Sequence, residues 1–198
     1  MGQTTVPTAQ SAPDVSPSPT RDVSSFGVIV FLASDIMLFA PFFAAYFLLR
    51  STNHPWPPDV VELYVARAGA ATAVLMLSSL TLTMSDRAEH GDRPAAQRRW
   101  LLITIALGTA FLANQAAECA TMGFGADDHP YGSVYWLLTG LHSTHVTVGV
   151  LAMMLLYIRS RLASSTQVVS TWSGGVSMFW HLVDVVWIGV FLTIWVVR

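Results

Sequence analysis

The sequence predicts an all-α fold, an integral membrane bundle of five transmembrane helices. The chain of 198 residues is 53% hydrophobic and only 11% charged, whereas soluble globular domains carry about 25% charged residues. Its mean hydropathy is +0.52. Five apolar segments approach or exceed the roughly 20 residues that a helix needs to cross the hydrocarbon core. The short alternating segments of a membrane β-barrel do not occur in the sequence.

The composition also excludes several functional classes. The ten basic residues are all arginine and the net charge is −2, which excludes a basic nucleic-acid-binding domain. The single cysteine, Cys119, excludes a disulfide framework and a cysteine-rich zinc or iron–sulfur site. The sequence contains no phosphate-binding loop, dinucleotide fingerprint or nucleophile elbow.

The five segments follow a polar N-terminal tail. Residues 1–22 are rich in Ser, Thr and Pro, and such a segment is predicted to be disordered because it cannot bury enough apolar surface. Residues 23–198 are predicted to form the membrane domain, with spans at 23–49, 66–84, 100–119, 134–158 and 176–197. Prolines in the sequence HPWPP end the first span, and small residues in the second permit close helix packing. The charged stretch 85–99 is predicted to be a loop.

Arginine placement predicts the orientation. With five spans, the tail, the 85–99 loop and the 159–175 loop share one side, which carries seven arginines against three on the other. The positive-inside rule then places the N-terminus in the cytoplasm and the C-terminus outside. Arg98 and Arg99, next to the third span, are candidates for binding anionic lipid headgroups; a solvated loop is the alternative.

Asp35 lies in the middle of the first span, within the sequence LASDIMLFAPFF. A carboxylate at the bilayer centre costs about 2.5–3.5 kcal/mol on insertion scales unless it is paired, hydrated or protonated. Its own helix surrounds it with Phe and Leu side chains, so we expect a neutral Asp35 that is hydrogen-bonded to another helix. It either acts as a packing device or takes a direct part in proton handling.

Histidine and carboxylate side chains recur in the later spans at helical spacing. A rise of 1.5 Å per residue places Asp35, His142, His145 and Asp184 within about 10 Å of the midplane, where they could form one interhelical network that links helices by hydrogen bonds. Metal or haem ligation is the alternative, although the Glu-x-x-His motif of di-iron bundles does not occur. The proton-linked candidates of the sequence are Asp35, Glu118, His142, His145, His181 and Asp184.

Four motifs in fixed order resemble subunit III of the haem–copper oxidases, and most closely its short, five-helix bacterial form in cytochrome c oxidase. They are SDIMLFAPFFAAYF, NQAAE, YGSVYWLLTGLHSTHVTVG and FWHLVDVVWIGVFLTIWVV. The resemblance covers residues from about 24 to 198. His142, His145, His181 and Asp184 match the family pattern without departure. Asp35 stands where Glu is usual, and Cys119 stands where an aromatic residue usually follows Glu118.

The resemblance implies a multi-pass subunit of a respiratory terminal oxidase in the bacterial plasma membrane. Such a subunit is non-catalytic, holds no metal or cofactor, and packs against subunits I and II, which carry the haem and copper. It stabilises the catalytic subunit, supports proton uptake during O₂ reduction and binds phospholipids. Subunit-III-like proteins of nitric oxide reductases or quinol oxidases are the nearest alternative. A stand-alone intramembrane metalloenzyme and a small proton-coupled transporter are alternatives of other classes.

Overall fold

Five long helices make up the computed structural model of the chain, which describes residues 20–58, 64–162 and 166–197. The helices are α1 (Thr20–Thr52), α2 (Val65–His90), α3 (Pro94–Thr121), α4 (Pro130–Leu162) and α5 (Thr166–Phe191), and a π-helical turn, Leu192–Val196, continues α5. All five are long and apolar enough to cross a membrane. No strand occurs in the described ranges, so the predicted all-α class with five spans is confirmed.

The helices extend beyond the predicted spans. The largest difference is at α5, which begins at Thr166 instead of residue 176, and α2 and α3 reduce the predicted 85–99 loop to residues 91–93. Apolar windows mark only the part of a helix that lies in hydrocarbon, and the same backbone hydrogen bonds continue into the polar interface. Most of the predicted N-terminal tail, residues 1–19, lies outside the described residues.

The connection between α2 and α3 explains why these two helices form a tight antiparallel pair. α2 ends at His90, and the backbone N–H of the next residue, Gly91, donates to the carbonyl oxygen of Arg87. Asp92 adopts a left-handed conformation with φ of 54°, and α3 starts at Pro94, a position at which the missing N–H of proline costs nothing. The short turn holds α2 and α3 side by side along their length.

The position of each helix in the bundle follows from its contacts. α5 packs against α1, α2 and α4, whereas the main contacts of α1 are with α4 and α5. Half of the apolar window of α5 is buried inside the bundle, compared with 11% of that of α1. α5 is therefore the central helix, and α1 presents most of its apolar surface outward, to lipid or to another subunit.

Trp180 on α5 forms the centre of the core. Its side chain is fully buried, and its indole N–H donates to Ser78 Oγ of α2 at 3.0 Å. The ring lies against Gly108 of α3 and Gly149 of α4, where an added Cβ would come within 2.8 Å and 2.7 Å of ring carbons. These two glycines let three helices close around one indole ring.

Candidate functional site

Asp35 and His145 face each other across the contact between α1 and α4. Asp35 Oδ1 lies 3.7 Å from His145 Nε2, and both side chains are largely shielded. Phe39 and Phe179 rings enclose the imidazole, with centroid distances of 5.1 Å and 6.3 Å. Asp35 thus faces a histidine of another helix, at a separation longer than a hydrogen bond, and its predicted hydrogen bond to another helix stays a prediction.

A hydrogen bond at His145 Nδ1 determines which ring nitrogen of His145 carries a hydrogen. His145 Nδ1 lies 2.8 Å from the carbonyl oxygen of Leu141, a group that only accepts, so Nδ1 carries a hydrogen. Nε2 then faces Asp35 either as an acceptor or as a second N–H donor.

His142 lies on a different face of α4 and does not join that pair. It is fully buried, with its ring 4.7 Å from Trp187 and 5.8 Å from Phe111. Neither ring nitrogen has a hydrogen-bond partner among the described residues. His142 is therefore packed within an aromatic cage between α3, α4 and α5.

The Ser79 hydroxyl group of α2 contacts His181 and lies near Asp184. His181 Nδ1 lies 2.5 Å from Ser79 Oγ, and the Ser79 side chain also interacts with the Asp184 carboxyl. Asp184 is buried, with 3% of its surface exposed. Ser79 thus makes a hydrogen bond with the imidazole, whereas neither oxygen of the Asp184 carboxyl, one turn further along α5, has a hydrogen-bond partner among the described residues.

Glu118 lies apart from the other candidates, near the C-terminal end of α3. It is 6% exposed and interacts electrostatically with Arg67 at the start of α2. The Arg67 guanidinium donates to Asn114 twice, from Nε to the side-chain oxygen at 3.0 Å and from Nη2 to the carbonyl oxygen at 3.2 Å. This end of the bundle thus carries a buried carboxyl group and a guanidinium group that interact electrostatically.

The six proton-linked candidates accordingly fall at four separate places in the bundle: Asp35 with His145, His181 near Asp184, His142 alone, and Glu118 alone. No single network joins them among the described residues. Within the described parts of the chain, no group of three or more His, Cys, Asp and Glu side chains converges as metal ligands would. Arg98 and Arg99 lie on the first turns of α3, next to Trp100 at its interface end. Arg98 is half-buried and Arg99 is exposed.

The structure also joins polar residues that sequence reasoning missed. Glu89 Oε1 accepts from Ser173 Oγ at 2.9 Å, and Asp86 Oδ2 accepts from Ser177 Oγ at 2.6 Å. With the Ser79–His181 contact, these pairs form a ladder along the antiparallel helices α2 and α5. The sequence does contain a pattern that predicts this polar face of α5. Its residues recur at intervals of four, four and three and so share one side of the helix: Ser173, Ser177, His181 and Asp184.

Comparison with known proteins decides the family. A profile described as "Cytochrome c oxidase subunit III" matches residues 18–197. The chain belongs to the cytochrome c oxidase subunit III family. It is 41% identical over 179 residues to a protein of Nocardia farcinica named "Probable cytochrome c oxidase subunit 3", with 88% of each chain covered.

Two further subunit 3 relatives come from other bacteria. The protein of Corynebacterium diphtheriae is 38% identical over 181 residues and that of Thermostichus vulcanus is 33% identical over 178 residues, again with 88% of each chain covered. Both are named "Cytochrome c oxidase subunit 3". The resemblance drawn from the four motifs is confirmed, and this chain is a subunit III of a terminal oxidase and part of an oxidase complex.

Proposed function

We propose that this chain is the non-redox subunit III of a proton-pumping cytochrome c oxidase in a bacterial plasma membrane. The observation that carries the proposal is the family match, which runs through all five helices from residue 18 to residue 197. The other subunits of the complex, I and II, hold the haem and copper. This chain holds no cofactor, catalyses no redox step itself, and packs beside the catalytic subunit.

The outward apolar surface of α1 supports a role in assembly. α1 exposes large side chains along its length, among them Phe31, Met37 and Leu48, while its other face carries Asp35 into contact with α4. A partner subunit that packs on this surface would hold the Asp35–His145 pair in place. The proposed orientation, with the N-terminus in the cytoplasm, rests on the arginine asymmetry.

Support for proton uptake is the second part of the proposal. Ionisable side chains within membrane spans are costly and are typical of proton relays, and Asp35, His145, His181 and Asp184 are all in spans. Asp35 is shorter than the usual glutamate by one methylene, yet it still reaches to within 3.7 Å of His145. Arg98 and Arg99, at the cytoplasmic end of α3 in the proposed orientation, are positioned to bind phospholipid headgroups.

Removal of the chain from the purified complex tests this proposal. We expect complexes without the chain to keep their haem and their initial rate of O₂ reduction. Their proton uptake, followed with a pH-indicator dye, should become slower, and activity should be lost sooner during continued turnover. Uptake and active lifetime that do not change without the chain would contradict the proposed role.

A further inference from the structure

The helix α4 begins with a histidine as its N-terminal cap. His129 lies directly before Pro130, the first residue of α4, and its Nδ1 accepts a hydrogen bond from the backbone N–H of Gly132 at 2.7 Å. The His129 carbonyl oxygen accepts from the backbone N–H of Ser133 at 3.2 Å. This is N-cap geometry, in which a side chain satisfies a backbone donor that the first turn of a helix leaves free. Ser, Thr, Asp and Asn usually fill this position, and none of them takes a proton near neutral pH as histidine does.

The cap requires a neutral imidazole ring. A backbone N–H only donates, so Nδ1 of His129 carries no hydrogen and the hydrogen of the neutral ring is on Nε2. Nε2 has no hydrogen-bond partner among the described residues, so the bond at Nδ1 is the polar contact that fixes the ring. A proton on Nδ1 would set two N–H groups against each other and add positive charge at the positive end of the helix dipole. The cap and the imidazolium form therefore exclude each other.

The same histidine holds the α3–α4 loop, residues 122–129, against the start of α4. The Phe124 ring of this loop packs on the His129 ring at a centroid distance of 5.0 Å and on Tyr131 at 6.4 Å. Loop and helix approach so closely at Gly132 that an added Cβ would come within 2.5 Å of the carbonyl oxygen of Gly125. Loss of the cap therefore loosens the contact between the loop and the first turn of α4.

Two hydrogen bonds that do not involve histidine also tie the loop to α4. Ser133 Oγ donates to the carbonyl oxygen of Ala126 at 2.5 Å, and the Trp136 indole N–H donates to that of Phe124 at 3.2 Å. Hydroxyl and indole donors keep their hydrogens at any physiological pH. They hold the loop on the bundle when the cap is lost, so the change stays local.

We propose that His129 is a pH-operated latch, which holds the α3–α4 loop on the first turn of α4 while the imidazole is neutral and releases it when the imidazole takes a proton. The transition consists of one proton bound from water at Nδ1 and one hydrogen bond lost, that from Gly132.

The latch itself does not depend on the proposed function, because it needs only the loop and the start of the helix. In the proposed orientation it lies outside, on the side to which a proton-pumping oxidase delivers protons, and there it responds to the acid that the complex produces. This last point alone rests on the proposed function.

The other titratable groups at this end of the bundle are carboxyl, phenol and thiol groups. Histidine is the side-chain type whose charge ordinarily changes between pH 5 and 8, unlike these groups. In the loop, Asp127 and Asp128 are exposed, and Asp128 Oδ2 accepts from the backbone N–H of Gly125 at 2.6 Å. The neighbouring helices contribute Tyr46 of α1, Glu118 and Cys119 of α3, and Tyr131 and Tyr135 of α4.

Hydrogen–deuterium exchange of the complete oxidase complex, followed by mass spectrometry at pH 8 and pH 5, on either side of the ordinary histidine range, tests the latch. After correction for the intrinsic pH dependence of exchange, we expect the segment with the Gly132 amide to exchange about fivefold faster at the acidic pH, which corresponds to the loss of a typical N-cap. His129→Asn keeps an acceptor that takes no proton, so the segment should exchange equally slowly at both pH values. In His129→Leu it should exchange fast at both.

His90→Asn is the matched control. His90 also makes a hydrogen bond at Nδ1, but to the carbonyl oxygen of Asp86 at 2.7 Å, an acceptor that a protonated ring keeps. This variant should leave the pH dependence of the α4 segment unchanged.

Two outcomes would overturn the inference. One is a corrected exchange rate of the α4 segment that is the same at both pH values in the unsubstituted chain. The other is a pH dependence that persists in His129→Asn. Both comparisons use chains that retain a cap, so they hold even if His129→Leu does not fold. None of these measurements needs turnover, whereas failure of the proposed function would appear as proton uptake that is indifferent to removal of the whole chain.

Discussion

Gly149→Ala should destabilise the bundle through the single methyl group that it adds. The new Cβ would lie 2.7 Å and 2.9 Å from two ring carbons of Trp180, well inside normal van der Waals contact. The ring cannot move aside easily, because it is fully buried and its N–H is bonded to Ser78. On its far side it already touches the position of Gly108, where an added Cβ would come within 2.8 Å.

The expected magnitude follows from two opposed terms. Overpacking of a well-filled core costs about 1–3 kcal/mol, whereas Gly to Ala in a helix interior gains up to about 1 kcal/mol in helix propensity. Gly140→Ala is the matched control on the same helix, because nothing lies within 4 Å of its added Cβ. Since the propensity gain is shared, the free energies of unfolding of the two variants should differ by about 1–3 kcal/mol.

Equilibrium unfolding in mixed micelles, followed by circular dichroism, measures this difference. We expect Gly140→Ala to equal or exceed the unsubstituted chain in stability and Gly149→Ala to fall below it. Equal stability of the two variants would refute the close packing of α3, α4 and α5 around Trp180.

Three further predictions concern the polar residues and the orientation. Asp35→Asn should preserve assembly and initial rate but shorten the active lifetime of the complex, whereas Asp35→Leu should reduce the amount of chain that co-purifies, since it leaves His145 unpaired; equal yields would count against the pairing. Asp184→Leu should weaken assembly more than electron transfer, measured as chain recovered and as haem oxidation rate, and a complex that assembles fully but cannot reduce O₂ would contradict this. In a Cys119→Ser background, cysteine at position 127 should react with an impermeant reagent from outside and cysteine at position 90 only after permeabilisation; the reverse pattern would invert the topology.

The five spans could be predicted because lipid imposes a simple rule. Backbone groups must be satisfied within each helix, so apolar length alone locates a span, as at 134–158 inside α4. This rule does not locate the ends of the helices, which extend beyond the hydrocarbon core. Five of residues 85–90 are polar or charged, yet all six continue α2. Their side chains reach the interface, and Asp86 and Glu89 accept hydrogen bonds from serines of α5.

The partners of the polar residues could be predicted only in part. Helical spacing puts His142 and His145 on neighbouring positions of α4, but it does not say that one faces Asp35 and the other faces Trp187. That distinction depends on which helices flank α4 and at what rotation, which is set by packing around bulky groups such as Trp180. For the same reason the contact of Ser79 with His181 was not predicted, although the polar face of α5 is visible in the sequence.

Affinity purification of the full-length chain from its own membranes in mild detergent tests the central claim most directly. We predict that haem and copper co-purify in fixed ratio to the chain. After the chain is stripped from the complex, all of the haem and copper should stay with the partner subunits, and the separated chain should contain none. Purification without a haem-bearing partner, or haem, copper or iron in stoichiometric amount in the separated chain, would contradict its assignment as a non-redox subunit of a terminal oxidase.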